Sequence, residues 1–303
     1  MMTYALNDTI DARDTSTVRD YFTLLKPRVM SLVVFTGIAG MVAAIAMPQA
    51  PSIHPLIACA AIVFLAVGAG ASGAYNMWYD RDIDAVMTRT RGRPLPLGKI
   101  HPDNARDFAL VLMFLSTMMM GVVVNWTAAA LLAFAQWFYA YFYTVFLKRR
   151  TAQNIVIGGA AGAFPPMIGW ACVTGSVSME AFVYFLIIFL WTPPHFWALA
   201  LYSNEDYKRA NIPMLPVTKG AAHTRWQMLV YTLILWPVSV LPSFVGAAGK
   251  TYAVGAFILS GLFAVSALQV LRLQTEKASR LMFGYSILYL FMMFGLVMID
   301  RWM

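Results

Sequence analysis

The stretch Asn76-Met-Trp-Tyr-Asp80-Arg-Asp82-Ile-Asp84 sets three carboxylates and an amide where a long apolar run gives way to a polar one, and Arg89, Arg91 and Arg93 follow at once. In a helix Asn76, Asp80 and Asp84 are four residues apart and share one face, with Asp80 and Asp84 offset by about 6 Å along the axis. Two such anions repel by roughly 3 kcal/mol at an effective dielectric of about 20. At the C-terminal end of a helix the macrodipole opposes negative charge as well. The cluster therefore calls for a cation. A second acidic group, Tyr202-Ser-Asn-Glu205-Asp206-Tyr-Lys208-Arg209, closes a later apolar run. Paired acids, each followed by Lys or Arg, suit a polyanion bridged by a divalent metal. Mg2+ takes oxygen ligands and binds through one or two carboxylates together with substrate phosphates. A diphosphate on a long hydrocarbon fits this chemistry, its head at an interface and its tail between helices.

The elements that must carry these groups are membrane helices. Of 303 residues, 60% are hydrophobic and only 12% charged, and the apolar blocks are too long for a soluble core. Nine runs of membrane-spanning length are expected, at about Val29 to Met47, Leu56 to Tyr75, Phe108 to Val124, Thr127 to Leu147, Ile155 to Val173, Ala181 to Leu201, Met228 to Val245, Ala253 to Leu271 and Leu281 to Ile299. With the N-terminus inside, 20 of the 22 lysines and arginines fall in cytoplasmic segments, and only Lys250 and Arg301 fall outside them. Lys and Arg accumulate on that side, so the count supports an odd number of spans and a C-terminus on the opposite face. The second and sixth spans then both run inward, which brings the two acidic groups to the cytoplasmic face and suggests a duplicated four-helix unit.

The net charge of +8 is spread over loops tied to membrane spans, which points to anionic lipid and an anionic substrate rather than nucleic acid. Residues 1–25 read as a polar cytoplasmic tail, since Asp8, Asp11, Asp14 and Asp20 argue against a transit peptide or a cleaved signal. Residues 26–303 read as a single transmembrane domain. Cys59 and Cys172 show no metal spacing and read as packing residues.

The motif Asn76-x3-Asp80-x3-Asp84 resembles the first aspartate-rich motif of the UbiA-type intramembrane prenyltransferases. Three further stretches, Lys148-Arg-Arg-Thr-Ala-Gln-Asn154-Ile-Val-Ile-Gly158-Gly159, Thr192-Pro-Pro-His195-Phe-Trp197 and Asp206-Tyr-Lys-Arg-Ala-Asn-Ile-Pro213-Met-Leu-Pro216-Val, narrow the resemblance to the haem-farnesylating branch of that family. The segments extend from about Tyr21 to about Gly220, and the last three spans match in number and hydropathy. The resemblance implies an all-α fold of nine transmembrane helices around a lipid-open central cavity in the bacterial inner membrane. It implies Mg2+-dependent transfer of farnesyl from farnesyl diphosphate to a vinyl group of haem b, giving haem O, with haem as substrate. A haem A synthase or a terminal oxidase would then be a partner. Asp80 and Asp84 would hold Mg2+ with Asn76 as an amide ligand or as a hydrogen-bond partner of the liganding groups, and Asp206 a second ion. Arg89, Arg93, Lys148 and Lys208 are the candidate diphosphate clamps, and Asn154 and Tyr202 further substrate contacts. Many relatives carry a second Asp-x3-Asp, whereas here Tyr202 and Ala210 flank Asp206 at that spacing.

His195 is the only histidine deep in a span. It could ligate haem iron or move a proton, or it could only fill the hydrogen-bond gap left by Pro193 and Pro194. Trp126, Trp191, Trp197, Trp226 and Trp302 read as interface anchors. Gly158, Gly159 and Gly162, ahead of Pro165 and Pro166, permit close approach and a break in the fifth span. A secondary transporter would keep its acids near the midplane, whereas these lie at one face. A non-catalytic haem carrier would not need the diphosphate cluster. A quinone-type or chlorophyll-type acceptor is the nearest competitor, and the Pro-Pro-His and Ile-Pro-Met-Leu-Pro stretches weigh against it.

Overall fold

The structure, a computed structural model, describes residues 16–300. Most of the polar tail, and Arg301 and Trp302, lie outside the described residues. Among the described residues nine helices are long and apolar enough to cross a membrane: span 1 (Pro27–Ile45), span 2 (Pro55–Tyr79), span 3 (Pro102–Val123), span 4 (Trp126–Leu147), span 5 (Asn154–Thr174), span 6 (Met179–Tyr202), span 7 (Ala221–Phe244), span 8 (Lys250–Leu273) and span 9 (Glu276–Asp300). Short helices at Val18–Leu24, Arg81–Val86, Asn204–Arg209 and Leu215–Thr218 complete the described elements.

All nine expected spans form, and the starts of spans 2, 3, 4 and 6 are set by side-chain caps rather than by hydropathy. Proline opens spans 1, 2 and 3 at Pro27, Pro55 and Pro102, where its missing amide would have no helical partner anyway. The His54 and His101 rings accept the Leu56 and Asp103 amides, and the Asn125 and Ser178 side chains accept those of Ala128 and Ala181. Span 3 starts at Pro102 rather than Phe108, span 7 at Ala221 rather than Met228, and span 9 at Glu276 rather than Leu281. In each case the helix runs through charged residues, because apolar length marks the hydrocarbon slab while backbone hydrogen bonding continues to a cap. Span 5 breaks at Gly159 and passes unbroken through Pro165 and Pro166. Trp191 and Trp197 are only 6% and 1% exposed, so they are core residues and not interface anchors. Cys172 is buried beside Met120, whereas Cys59 is exposed instead of packed.

The spans follow one another around a ring, and span 9 closes it against span 1. Span 1 also crosses span 5 at backbone contact. A Cβ at Gly40 would lie 2.0 Å from the Pro166 carbonyl oxygen, and one at Gly169 would lie 2.0 Å from that of Gly37. Small residues let membrane helices gain dispersion where lipid removes the hydrophobic drive. Neither carbonyl can rotate away as a side chain would, so Gly40→Val should destabilise by at least the about 1–3 kcal/mol of ordinary overpacking. Thermal unfolding in detergent checks this, and an unchanged midpoint would mean that the crossing is looser than described.

Candidate active site

Span 2 ends at Tyr79, and Asp80 joins it to the short helix Arg81–Val86. The amide of Asp80 still bonds the Asn76 carbonyl at 3.0 Å, and that of Asp84 the Asp80 carbonyl at 2.8 Å. Helical spacing therefore survives the junction, and Asn76, Asp80 and Asp84 stay on one face. Asp82 points elsewhere, into a two-pronged pair with Arg149 at 2.7 and 2.8 Å. That hydrogen bond holds the Asp82 carboxyl below its usual range and fastens the end of span 4 to that of span 2.

Each of the three side chains on the shared face accepts from a cation. Asn76 gives its side-chain amide to Asp80 at 2.8 Å and to Thr144 at 3.1 Å, and its carbonyl oxygen accepts from Lys26 at 2.7 Å. Lys148 pairs with Asp80, and Arg93 with Asp84 at 2.6 Å. Lys148 and Thr144 reach this point because the last part of span 4, Phe138–Leu147, is a π-helix. Its wider turns show in the i to i+5 bond from the Lys148 amide to the Tyr143 carbonyl at 2.8 Å, and such segments recur at functional sites.

Lys26 enters from the other side. It precedes Pro27 with a left-handed φ of 52°, strained for a residue with a Cβ, and runs along a notch in span 2. A Cβ at Gly73 would sit 3.2 Å from its Cδ. Burial, with the Arg93 and Lys148 charges beside it, pulls the Lys26 ammonium down to about 7 against the attraction of Asp84 and Asp80. Positive charge here exceeds what the two carboxylates neutralise.

These groups stand over a cavity of about 1030 Å³. Lys26, Asn76, Asp84, Arg89, Arg93, Lys148 and Asn154 line its polar end, and Leu65, Leu132, Ile168 and Ile188 are among its apolar walls. Val29 of span 1 and Ile287, Leu288 and Phe291 of span 9 line it while remaining exposed, which leaves it open sideways between those spans. His195 lines it too. The His195 ring does not fill the gap left by Pro193 and Pro194, because its Nδ1 bonds Ser286 of span 9 at 2.6 Å. Asn154 is fully buried, and its side-chain oxygen has no hydrogen-bond partner, so it can take a donor from a ligand or a water.

Other expected residues lie apart from the cavity lining. Asp206 accepts from Thr88 at 3.0 Å and pairs with Arg209. Burial would raise its carboxyl, but the hydrogen bonds from Thr88 and Arg209 together with the Arg209 charge hold it below its usual range. Lys208 pairs with the exposed Glu205 at 2.8 Å, and Tyr202 lies under the Arg280 guanidinium at 4.6 Å. The structure does not bring these three side chains to the cavity wall. What Asp206 does join is the two acidic loops, because Thr88 follows the first cluster. Ile83, Met87, Tyr207, Ile212 and Met214 pack into one apolar cluster that locks the same loops together.

Among the described residues no three His, Cys, Asp or Glu side chains gather as a metal cage. Mg2+ does not need one where substrate phosphates supply ligands, and the oxygens of Asn76, Asp80 and Asp84 are of the type that it takes.

Residues 33–295 match the UbiA prenyltransferase family. The chain belongs to that family. Among curated relatives of this UbiA-family chain, protoheme IX farnesyltransferase of Parvibaculum lavamentivorans is 55% identical over 93% of this chain and 89% of its own. Protoheme IX farnesyltransferase 2 of Mesorhizobium japonicum is 56% identical over 94% and 90%. Two solved structures share the fold. One, described as digeranylgeranylglyceryl phosphate synthase in membranes, is 17% identical with a TM-score of 0.77 over 93% of this chain and 98% of that one. The other, a UbiA homologue from Archaeoglobus fulgidus bound to DMAPP and Mg2+, is 16% identical with a TM-score of 0.64 over 91% and 99%.

Sequence reasoning did not single out Lys26, Thr88 or Thr144 in this UbiA-family chain. One signal was present for Lys26: Gly70, Gly73 and Asn76 recur every third residue, a stripe without side chains that leads to the amide.

Proposed function

We propose that this protein farnesylates haem b, taking the prenyl group from farnesyl diphosphate and releasing diphosphate, to give haem O. The observation that carries the reading is the meeting of Asn76 and Asp84 with Lys26, Arg93 and Lys148 at the polar end of one apolar, laterally open cavity, with Asp80 fully buried behind the lining against Asn76 and Lys148. The names of relatives above 50% identity support the choice of donor and acceptor.

Asp80, Asp84 and the Asn76 side-chain oxygen would hold Mg2+, which supplies Lewis-acid neutralisation of the diphosphate oxygens. Lys26, Arg89, Arg93 and Lys148 bind the same oxygens and stabilise charge as it grows on the leaving group, an electrostatic contribution made by preformed charges. The apolar walls hold the farnesyl chain and the porphyrin and keep water from the allylic carbon. The farnesyl carbon–oxygen bond breaks, and the electron-rich vinyl terminus forms the new carbon–carbon bond. The positive charge left beside the porphyrin takes the oxygen of a water, which gives up a proton. Asp206 holds the Thr88–Arg89 loop at the rim of the site and would approach a second ion only by releasing Thr88 or Arg209.

The charge distribution supports placement in a bacterial inner membrane with the N-terminus cytoplasmic and the C-terminus opposite. The product would pass to a haem A synthase or a terminal oxidase. Membranes supplied with haem b, farnesyl diphosphate and Mg2+ should yield a porphyrin heavier by one farnesyl group and one hydroxyl group. A product lacking farnesyl, or an unchanged haem, would refute the reading.

A further inference from the structure

His195 lies seven residues before the end of span 6, about 10 Å along the helix axis. Two rings hold its plane. Trp191 stacks on one side at 4.3 Å and 18°, and Phe283 of span 9 stacks at 4.7 Å and 21°. Stacking fixes the plane but not the proton, since either ring nitrogen of a neutral imidazole can carry it. Ser286 decides between them. Its hydroxyl oxygen is 2.6 Å from His195 Nδ1 and 2.6 Å from the Phe283 carbonyl oxygen. A carbonyl only accepts, so the single hydroxyl proton is committed there and Nδ1 must be the donor to the serine oxygen. The Trp191 indole donates to the Ser286 carbonyl at 2.8 Å, which ties the serine backbone to the same assembly. With the proton on Nδ1, Nε2 carries a free lone pair. Among the described residues no hydrogen bond reaches Nε2, and the ring lines the cavity.

We infer that Ser286 is a positioning residue that holds His195 as the Nδ1–H tautomer, so that an unprotonated Nε2 faces the cavity as a ligand for the iron of the porphyrin acceptor. The iron contact rests on the acceptor proposed above, whereas the tautomer does not. A hydrogen-bond partner on the far nitrogen is the arrangement that orients metal-binding imidazoles generally and raises their basicity. Here that partner comes from a different span, so the spacing between spans 6 and 9 sets the direction of the lone pair.

The test uses the full-length protein in detergent with 15N-labelled histidine, in which protonated and unprotonated ring nitrogens resonate in separate regions. Subtracting a His195→Gln spectrum isolates the His195 pair. The expected result is a protonated Nδ1 and an unprotonated Nε2, and in Ser286→Ala a mixture of the two tautomers. A protonated Nε2 in the unmodified protein overturns the inference, as does a Ser286→Ala spectrum identical to it. The unmodified spectrum decides the tautomer even if Ser286→Ala fails to accumulate. Ferric haem b should broaden or shift the Nε2 signal, and Ser286→Ala should weaken haem binding, followed by its Soret band, by about 10- to 100-fold with farnesyl diphosphate binding unchanged. Ser286→Thr, which keeps a hydroxyl, should restore haem binding. If haem b leaves the Nε2 signal untouched, the iron contact is overturned, and control of the tautomer by Ser286 stands.

Discussion

Replacing Asp84 by Asn will lower prenyl transfer by at least about 100-fold, the scale seen when one preorganised group is removed from a transition-state charge. The protein will remain folded. Asp84 lines the cavity, and its partner Arg93 is 22% exposed at the side chain, so the guanidinium left behind can be hydrated. Asp80→Asn will also abolish turnover but is the less clean experiment. Asp80 is fully buried against Lys148 and within 3.5 Å of Arg149, and breaking a buried pair by deleting one partner costs about 3–5 kcal/mol. Its unfolding midpoint in detergent should therefore fall together with its rate. Turnover measured across Mg2+ concentrations, beside that midpoint, separates the two effects. Wild-type turnover with unchanged Mg2+ dependence in Asp84→Asn would remove the metal assignment.

Lys148→Ala and Lys26→Met should both raise the KM for farnesyl diphosphate, whereas Lys208→Ala should hardly change it. Hydrogen bonds to charged groups are worth about 1.5–3 kcal/mol, or about 10- to 100-fold, and Lys26 and Lys148 both line the polar end of the cavity. Lys208 is half-exposed and paired with the exposed Glu205. Surface pairs of that kind contribute about 0–1 kcal/mol, so an effect beyond about fivefold is not expected. Steady-state kinetics in the three variants checks the ordering. If Lys208→Ala proves as damaging as Lys148→Ala, the diphosphate lies at the rim beside Asp206 and not where the described cavity ends.

Most of the scaffold was legible because each span must satisfy its own backbone in lipid, which writes the fold into apolar length. Asn76, Asp80 and Asp84 were legible because helical spacing continues across the Asp80 junction. Arg93 was legible as a cation just after an acid cluster, and Lys148 only through the resemblance carried by the Lys148 to Gly159 stretch. Lys26 was not, because a lysine before a first span reads as a topology signal, and only its left-handed backbone turns it into the notch at Gly73. The π-helical stretch was equally hidden, since Phe138–Leu147 has the composition of any apolar span and its altered register lies in backbone hydrogen bonds. Tyr202 and Lys208 stand at plausible spacings from Asp206, but the short helix Asn204–Arg209 turns Lys208 toward Glu205 and leaves Tyr202 against Arg280.

Where Gly37 and Gly40 meet Pro166 and Gly169, main chain touches main chain with no compressible layer between. That crossing acts as a fixed pillar. A bulky planar guest is therefore admitted more easily by give on the other face of span 1, where Phe35 stacks on Phe291 of span 9 at 4.5 Å and the partners are side chains. The entrance has a fixed side and a yielding side, and which is which follows from three glycines and the backbone of one proline.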